Sequence, residues 1–267
     1  MNHYLFIIPL TPGRLLSDTR KKLQQLAFQS LKMQSYDNWS ALVIGEQLPK
    51  TAENDNHFIH IDFEGKKEEK LQKATDYIIS KNISSNYIIR FDDDDIINPS
   101  ILQKVKDIDF DIYVDKMQYF WNFETKQISS RTWLWFPNTC IHKTEHALNR
   151  YGDFADGSFK KFHKNALLIE NDHSRLHKYY KNKNVVFADT NKPVYLRSIT
   201  STSITANNNN NYSVYLNRFG NWNKNTLPDF SFLGTELNGK VKQSFYNKIK
   251  NVKKEIVTNI FYLKNIK

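Results

Sequence analysis

Asn86-Tyr87-Ile88-Ile89-Arg90-Phe91-Asp92-Asp93-Asp94-Asp95-Ile96-Ile97-Asn98-Pro99 decides the fold. The apolar run reads as a buried strand, and four carboxylates stand directly at its end. Carboxylates packed this densely repel, and they raise one another's pKa values. A cation removes the conflict. Hard divalent ions such as Mg2+ or Mn2+ take oxygen ligands, and Mg2+ is usually held by one or two carboxylates plus substrate phosphates. The stretch therefore points to a metal–phosphate site at the carboxyl end of a strand, where open α/β sheets bind ligands. The competing reading is a solvated acidic turn. Against it, Ile96-Ile97-Asn98-Pro99 returns at once to apolar residues and a helix start. Strand alternation predicts that one of Asp93 and Asp95 points away from the site. Arg90 either neutralises the cluster, contacts phosphate or forms a surface ion pair.

Upstream, Tyr4-Leu5-Phe6-Ile7-Ile8-Pro9 reads as a buried first strand stopped by Pro9 and a Thr11-Pro12-Gly13 turn. Asp18 is placed to cap a helix through about Met33, with Leu23, Leu26, Ser30 and Leu31 on one face. Strands at Trp39–Ile44 and His57–Ile61 and a helix from Lys66 to Lys81 lead to the aspartates. The order β-α-β-β-α-β implies an α/β fold, a mostly parallel sheet with helices on its faces. Downstream the pattern predicts a short helix at 100–106, strands near 111–114, 117–123 and 131–137, and a helix starting at Asp172. Strands at 185–188 and 194–196 complete the sheet region.

With 267 residues, the chain is long enough for one α/β domain and an appendage. Asn207 to Asn211 is a low-complexity polar loop, and the organisation reads as a domain over 1–225 and an extension over 226–267. No apolar run is long enough to span a membrane. The N-terminus lacks signal-peptide features. A single cysteine, Cys140, fits a reducing compartment. The expectation is a cytoplasmic protein. The formal charge of +10 is segregated, with eight lysines against Glu255 in residues 238–267. Val241, Phe245, Ile249, Val252, Ile256, Ile260 and Leu263 recur there at helical spacing, so the tail reads as a basic amphipathic helix. It either lies on an anionic inner-membrane surface or docks on its own domain. A nucleic-acid partner is disfavoured, because the charge sits in the tail and four bare aspartates would repel phosphate.

Gln29-Ser30-Leu31-Lys32-Met33-Gln34-Ser35-Tyr36-Asp37-Asn38-Trp39, the strand at Ser40–Ile44, and Arg90-Phe91-Asp92-Asp93-Asp94-Asp95-Ile96-Ile97-Asn98-Pro99 together resemble the nucleotide-sugar glycosyltransferases of the GT-A fold, family 2 in broad type. The whole chain is most similar to the bacterial rhamnosyltransferase group. Pro193-Val194-Tyr195-Leu196-Arg197 resembles a later element of that group, but Thr200-Ser201-Thr202-Ser203 stands where its His-Gly-x-Asn would be. A late histidine that helps hold the metal in many such enzymes is therefore missing.

The resemblance implies a hexosyltransferase-type, inverting chemistry: sugar passes from a nucleotide-diphosphate donor to a surface glycan, lipopolysaccharide, capsule or lipid-linked oligosaccharide acceptor. It implies Mn2+ or Mg2+ as cofactor, with Asp94 and Asp92 as metal ligands and Asp92 near the ribose or donor sugar. Pro9, Thr11, Arg14, Arg90 and Asp93 join Asp92 as donor-binding candidates. Asp172 is the candidate general base and Glu170 the second choice, since a carboxylate within hydrogen-bond reach can take the acceptor proton. Asp172 competes for a helix N-cap role. Trp121, Trp133 and Trp135 are candidates to stack on sugar rings, with a core role as the alternative for Trp133 and Trp135. The other function classes are nucleotidyl transfer, against which no glycine-rich phosphate loop follows the first strand, and a non-catalytic carbohydrate- or nucleotide-binding relative.

Overall fold

A computed structural model of the chain describes residues 1–132, 138, 140–149, 166–169, 173–203, 212–217, 219, 222–224 and 227–237. The first half follows the expected order: β1 (Tyr4–Pro9), α1 (Asp18–Lys32), β2 (Trp39–Gly45), β3 (Phe58–Asp62), α2 (Lys67–Ser80) and β4 (Tyr87–Arg90). Every residue of β1 and β4 is buried, as continuous apolar runs covered on both faces require. β1 lies between β2 and β4 and is parallel to both, with Tyr4 opposite Trp39 and Tyr87.

Beyond the aspartates come β5 (Ile96–Ile97), α3 (Ile101–Val105), β6 (Ile112–Val114), β7 (Met117–Asn122), β8 (Gln127–Thr132), β9 (Cys140–Lys143) and α4 (Thr144–Ala147). Then follow α5 (His173–Tyr179), β10 (Val185–Phe187), β11 (Tyr195–Ile199), α6 (Tyr212–Leu216) and β12 (Trp222–Lys224). The central sheet has seven strands in the order β10-β6-β9-β4-β1-β2-β3. It is mostly parallel; among the described strands β9 alone runs antiparallel to its neighbours, β4 and β6.

The downstream strands divide between this sheet and a second one. Residues 117–122 and 195–199 belong to a second, five-stranded sheet in the order β12-β8-β7-β11-β5. The segment 91–95, which carries the aspartates, is thus the crossover from β4 in one sheet to β5 in the other.

α1 fills the space between the sheets. Ala27, Phe28 and Leu31 pack with Phe6, Ile8 and Val43 of the central sheet. Leu23 and Leu26 instead join Ile96, Tyr119, Trp121 and Leu196 of the second. Ser30 fixes the helix to the crossover: its hydroxyl donates to the Ala27 carbonyl at 2.6 Å and accepts from the Ile97 N–H at 3.2 Å. The cap of α1 is Ser17 rather than Asp18, its side chain accepting from the Arg20 N–H. Asp18 falls in the first turn, where a carboxylate favours the positive helix end.

A 3-10 segment, Pro228–Leu237, adds Phe230, Leu233 and Leu237 to the same apolar cluster as Trp121 and Leu23 of α1. Trp121 is fully buried and its indole N–H donates to the Glu236 carbonyl at 3.1 Å, so it is a core residue and not a sugar platform. Among the described residues no helix is long and apolar enough to cross a membrane. The tail 238–267 lies outside the described residues.

Candidate functional site

Parallel strands end together when they are paired in register. The Phe91 N–H donates to the Ile7 carbonyl, so the chain leaving β4 runs beside the chain leaving β1. A cavity of about 670 Å³ opens at these carboxyl ends. Its walls come from Pro9, Thr11 and Arg14 after β1, from Arg20 of α1, and from Lys66 and Lys67 at the start of α2. Asp92 to Asp95 form its floor, and Arg197, Thr202, Ser203 and Tyr215 face them from the side of the second sheet.

The four aspartates do not continue as a strand. The Asp95 N–H returns to the Asp92 carbonyl at 3.2 Å and closes a turn. All four residues border the cavity, but only Asp92, Asp94 and Asp95 bring carboxylate oxygens together, while both oxygens of Asp93 are taken by Thr11 and Gln24. Each is held differently. Asp92 Oδ2 accepts from Lys67 Nζ at 2.7 Å and from Asn138 Nδ2 at 3.1 Å. Asp93 is buried and accepts from the Thr11 N–H, the Thr11 hydroxyl and Gln24 Nε2, at 2.7, 2.9 and 2.8 Å. Asp94 pairs with Arg20, Nη1 to Oδ2 at 3.1 Å. Asp95 is buried between the Ser198 N–H and Asn138 Nδ2, both at 2.9 Å.

These surroundings separate the carboxyls electrostatically. Burial would raise Asp92, but the nearby charges of Lys67 and Arg90 outweigh it and bring its pKa down to about 2. Asp94 is pushed up to about 6 by burial and then by the charge of Asp93, with Arg20 opposing. Burial, followed by the charge of Asp94, lifts Asp95 well above the usual carboxylate range. A cluster with two reluctant acids is one that a divalent cation would complete.

The donor set fits such an ion. Carboxylate oxygens of Asp92, Asp94 and Asp95 all lie within 4.8 Å of one another. Oxygens around Mg2+ stand roughly 3 Å apart when adjacent and roughly 4 Å when opposite, so the three carboxylates are near enough to share one ion once drawn together. Asp92 Oδ1 is buried with no hydrogen-bond partner among the described residues. A buried carboxylate oxygen left unpaired is costly, and a metal bond would satisfy it. Asp92, Asp94 and Asp95 are thus the residues that could hold the ion.

Other expected site residues fall less uniformly. Pro9, Thr11 and Arg14 line the cavity, although Thr11 spends its hydroxyl on Asp93. Arg90 is buried behind the crossover, where Nη1 donates to the Leu168 carbonyl at 3.3 Å. It neutralises the cluster from beneath and is absent from the described cavity wall, which replaces the surface ion pair considered for it. Glu170, Asp172, Trp133 and Trp135 lie outside the described residues. At the position of the missing histidine, Thr200 Oγ1 lies 3.0 Å from Ser203 Oγ and 3.1 Å from Thr202 Oγ1.

Arg20, Gln24, Lys67 and Asn138 hold the aspartates, and sequence reasoning did not single them out. Arg20 and Gln24 share the i, i+4 spacing of one helix face. That spacing is the signal that could have marked them, one face of α1 being polar beside the apolar stripe.

Comparisons with known proteins complete the description. No protein-family model and no curated protein matches the chain. Among solved structures, residues 1–349 of TarS from S. aureus share 14% identity over 73% of this chain and 60% of that one, with a TM-score of 0.47. The chain therefore spans about three fifths of that fragment. The same fragment in complex with UDP-GlcNAc gives a TM-score of 0.46 at 14% identity, over 74% of this chain and 58% of that one. The glycosyltransferase GlyE of Streptococcus pneumoniae TIGR4 matches at 10% identity over 91% of this chain and 66% of that one, with a TM-score of 0.40. The inositol-1-phosphate CTP transferase of T. maritima matches at 16% identity over 80% and 94%, with a TM-score of 0.41. The structural neighbours thus include a glycosyltransferase and a nucleotidyl-type transferase, and this chain resembles both only distantly.

Proposed function

We propose that the chain is a metal-dependent glycosyltransferase of GT-A type, moving a sugar with inversion from a nucleotide-diphosphate donor to a bacterial surface-glycan or lipid-linked acceptor. One observation carries this reading. A single cavity at the strand ends combines the oxygens of Asp92, Asp94 and Asp95 with Arg14, Arg20, Lys66, Lys67 and Arg197. Carboxylates alone would repel a diphosphate, and cations alone would accept any anion. Their combination suits a diphosphate accompanied by a divalent ion.

Mn2+ or Mg2+, held by Asp92 and Asp94, would act as a Lewis acid toward the departing diphosphate. The chain's own residues do the rest. Arg20 and Lys67 fix the carboxylates that face the cavity, and Asn138 ties Asp92 to Asp95. Pro9, Thr11 and Arg14, which line the cavity, would receive the base and ribose, a role proposed from the resemblance. Asp172, with Glu170 as second choice, takes the acceptor proton, and Trp133 and Trp135 offer ring faces to sugars; these four roles come from sequence. Rhamnose as the sugar, a domain at 1–225 and a basic extension at 226–267 resting on the inner membrane face through 238–267 are likewise proposed from sequence.

The test is binding and turnover with a panel of nucleotide sugars, including UDP-GlcNAc and a nucleotide-activated rhamnose, with and without Mn2+. Donor hydrolysis or transfer should require the ion, and Asp94→Ala should abolish it with the fold intact. Full activity in Asp94→Ala, or in EDTA, refutes the reading. The hydroxyl cluster at Thr200–Ser203 favours a second reading, a non-catalytic relative that retains nucleotide in EDTA and turns nothing over.

A further inference from the structure

The following rests on reading the aspartate cluster as the seat of a divalent ion. We infer that Lys67 is the resident counter-cation of that seat: it holds Asp92 until a nucleotide diphosphate takes its ammonium, so that ion and nucleotide enter cooperatively. Lys67 Nζ stands 2.7 Å from Asp92 Oδ2, while Asp92 Oδ1 is buried and unpartnered. The ammonium thus occupies one oxygen of a carboxylate whose other oxygen has no hydrogen-bond donor among the described residues and is left for a metal to satisfy.

Three features make Lys67 the cation that moves. Its side chain is 40% exposed and lines the cavity, whereas the Arg20 side chain is 11% exposed and tied to both Asp94 and the Thr11 hydroxyl. Lys70, one turn along α2, is buried and donates to the Leu10 carbonyl at 2.9 Å. Lys67 also sits in the first turn of its helix, where the positive end of the helix dipole disfavours a cation. Its flexible four-carbon stem lets a point charge shift between neighbouring anions.

An ammonium and a divalent ion on one carboxylate repel each other. An incoming diphosphate relieves this by offering new oxygens to the ammonium. Each ligand then raises the affinity of the other by the same factor, as linkage requires.

The experiment measures Mn2+ binding, by electron paramagnetic resonance and calorimetry, to the full chain and to K67M and K67R, each with and without UDP. K67M should bind Mn2+ alone about tenfold more tightly, and the factor by which UDP raises Mn2+ affinity should shrink about tenfold. K67R, which keeps the charge, should stay near the parent protein and so control for folding. Unchanged or weaker Mn2+ binding by K67M, with the parent still binding Mn2+ in the presence of UDP, overturns this inference and leaves the functional reading standing. K67R behaving like K67M overturns it too, because charge would not be the cause. Absence of Mn2+ binding from the parent, even with UDP, removes the metal reading and this inference together.

Discussion

Thr11 grips Asp93 twice across 82 residues of sequence: its backbone N–H donates to Oδ2 at 2.7 Å and its hydroxyl donates to Oδ1 at 2.9 Å. The pair ties the loop after β1 to the crossover after β4, so the wall and the floor of the cavity are fixed to each other. The Thr11 hydroxyl also accepts from Arg20 Nη1 at 3.2 Å, which links the same contact to Asp94.

Thr11→Val keeps the shape and the backbone bond but removes the hydroxyl. Asp93 Oδ1 then loses its donor inside the protein, and Arg20 loses an acceptor. Hydrogen bonds to charged groups are worth about 1.5–3 kcal/mol, so a stability loss of about 2 kcal/mol is expected in urea unfolding. Mn2+–UDP affinity should fall as well, because the floor is no longer tied to the wall. A stability change below about 0.5 kcal/mol, the range of ordinary surface substitutions, would contradict the role given to this pair.

A metal binds carboxylates in their ionised form and releases their protons. With Asp94 pushed up to about 6 and Asp95 raised well above the usual carboxylate range, the cluster holds on to protons on the acid side of neutral pH. Mn2+ affinity should therefore climb as pH rises through about 6. Calorimetry in buffers of different ionisation enthalpy should detect proton release that shrinks at higher pH. Flat affinity between pH 5 and 7 would mean that the carboxyls facing the cavity are already ionised.

The first half of the fold was legible because its elements carry strong local patterns. Tyr4–Pro9, Ala41–Ile44 and Tyr87–Ile89 are continuous apolar runs, and α2 has a clear apolar stripe. The second sheet was not legible as a separate layer. β5 is two residues long, and Gln127-Ile-Ser-Ser-Arg-Thr in β8 is largely polar by composition though mostly buried. Such strands are defined by partners distant in sequence, as with Leu196 beside both Ile96 and Tyr119. The site divided along the same line. Four consecutive aspartates announce themselves. Gln24 reaches Asp93 across 69 residues, and nothing local distinguishes it from a solvated helix position until the fold brings them together.

Asp115 gives a stability prediction away from the cavity. Its carboxylate is buried and accepts from the Val194 N–H at 2.9 and 3.0 Å and from the Tyr195 N–H at 3.3 Å, anchoring the start of β11. Burial outweighs these bonds and pushes its pKa up from 3.8 to about 8. The folded state therefore keeps a proton that the unfolded state releases between those two values. Stability from this group is full below about pH 4 and is lost as pH rises toward 8, by at most ~1.4 kcal/mol per pH unit. His177 acts in the opposite sense: burial lowers its pKa from 6.5 to about 4, so its protonation opposes folding on the acid side. His177, Asp94 and Asp95 titrate as well, but they are common to the parent protein and an Asp115 variant and cancel in the difference between the two, which is read from pH 6.5 to 8. Asp115→Asn keeps an acceptor oxygen and cannot ionise. The stability difference between Asp115→Asn and the parent protein, read from urea unfolding, should move in favour of the variant steadily from pH 6.5 to 8. A difference independent of pH across that window would show that the two backbone N–H groups hold the carboxylate ionised despite its burial.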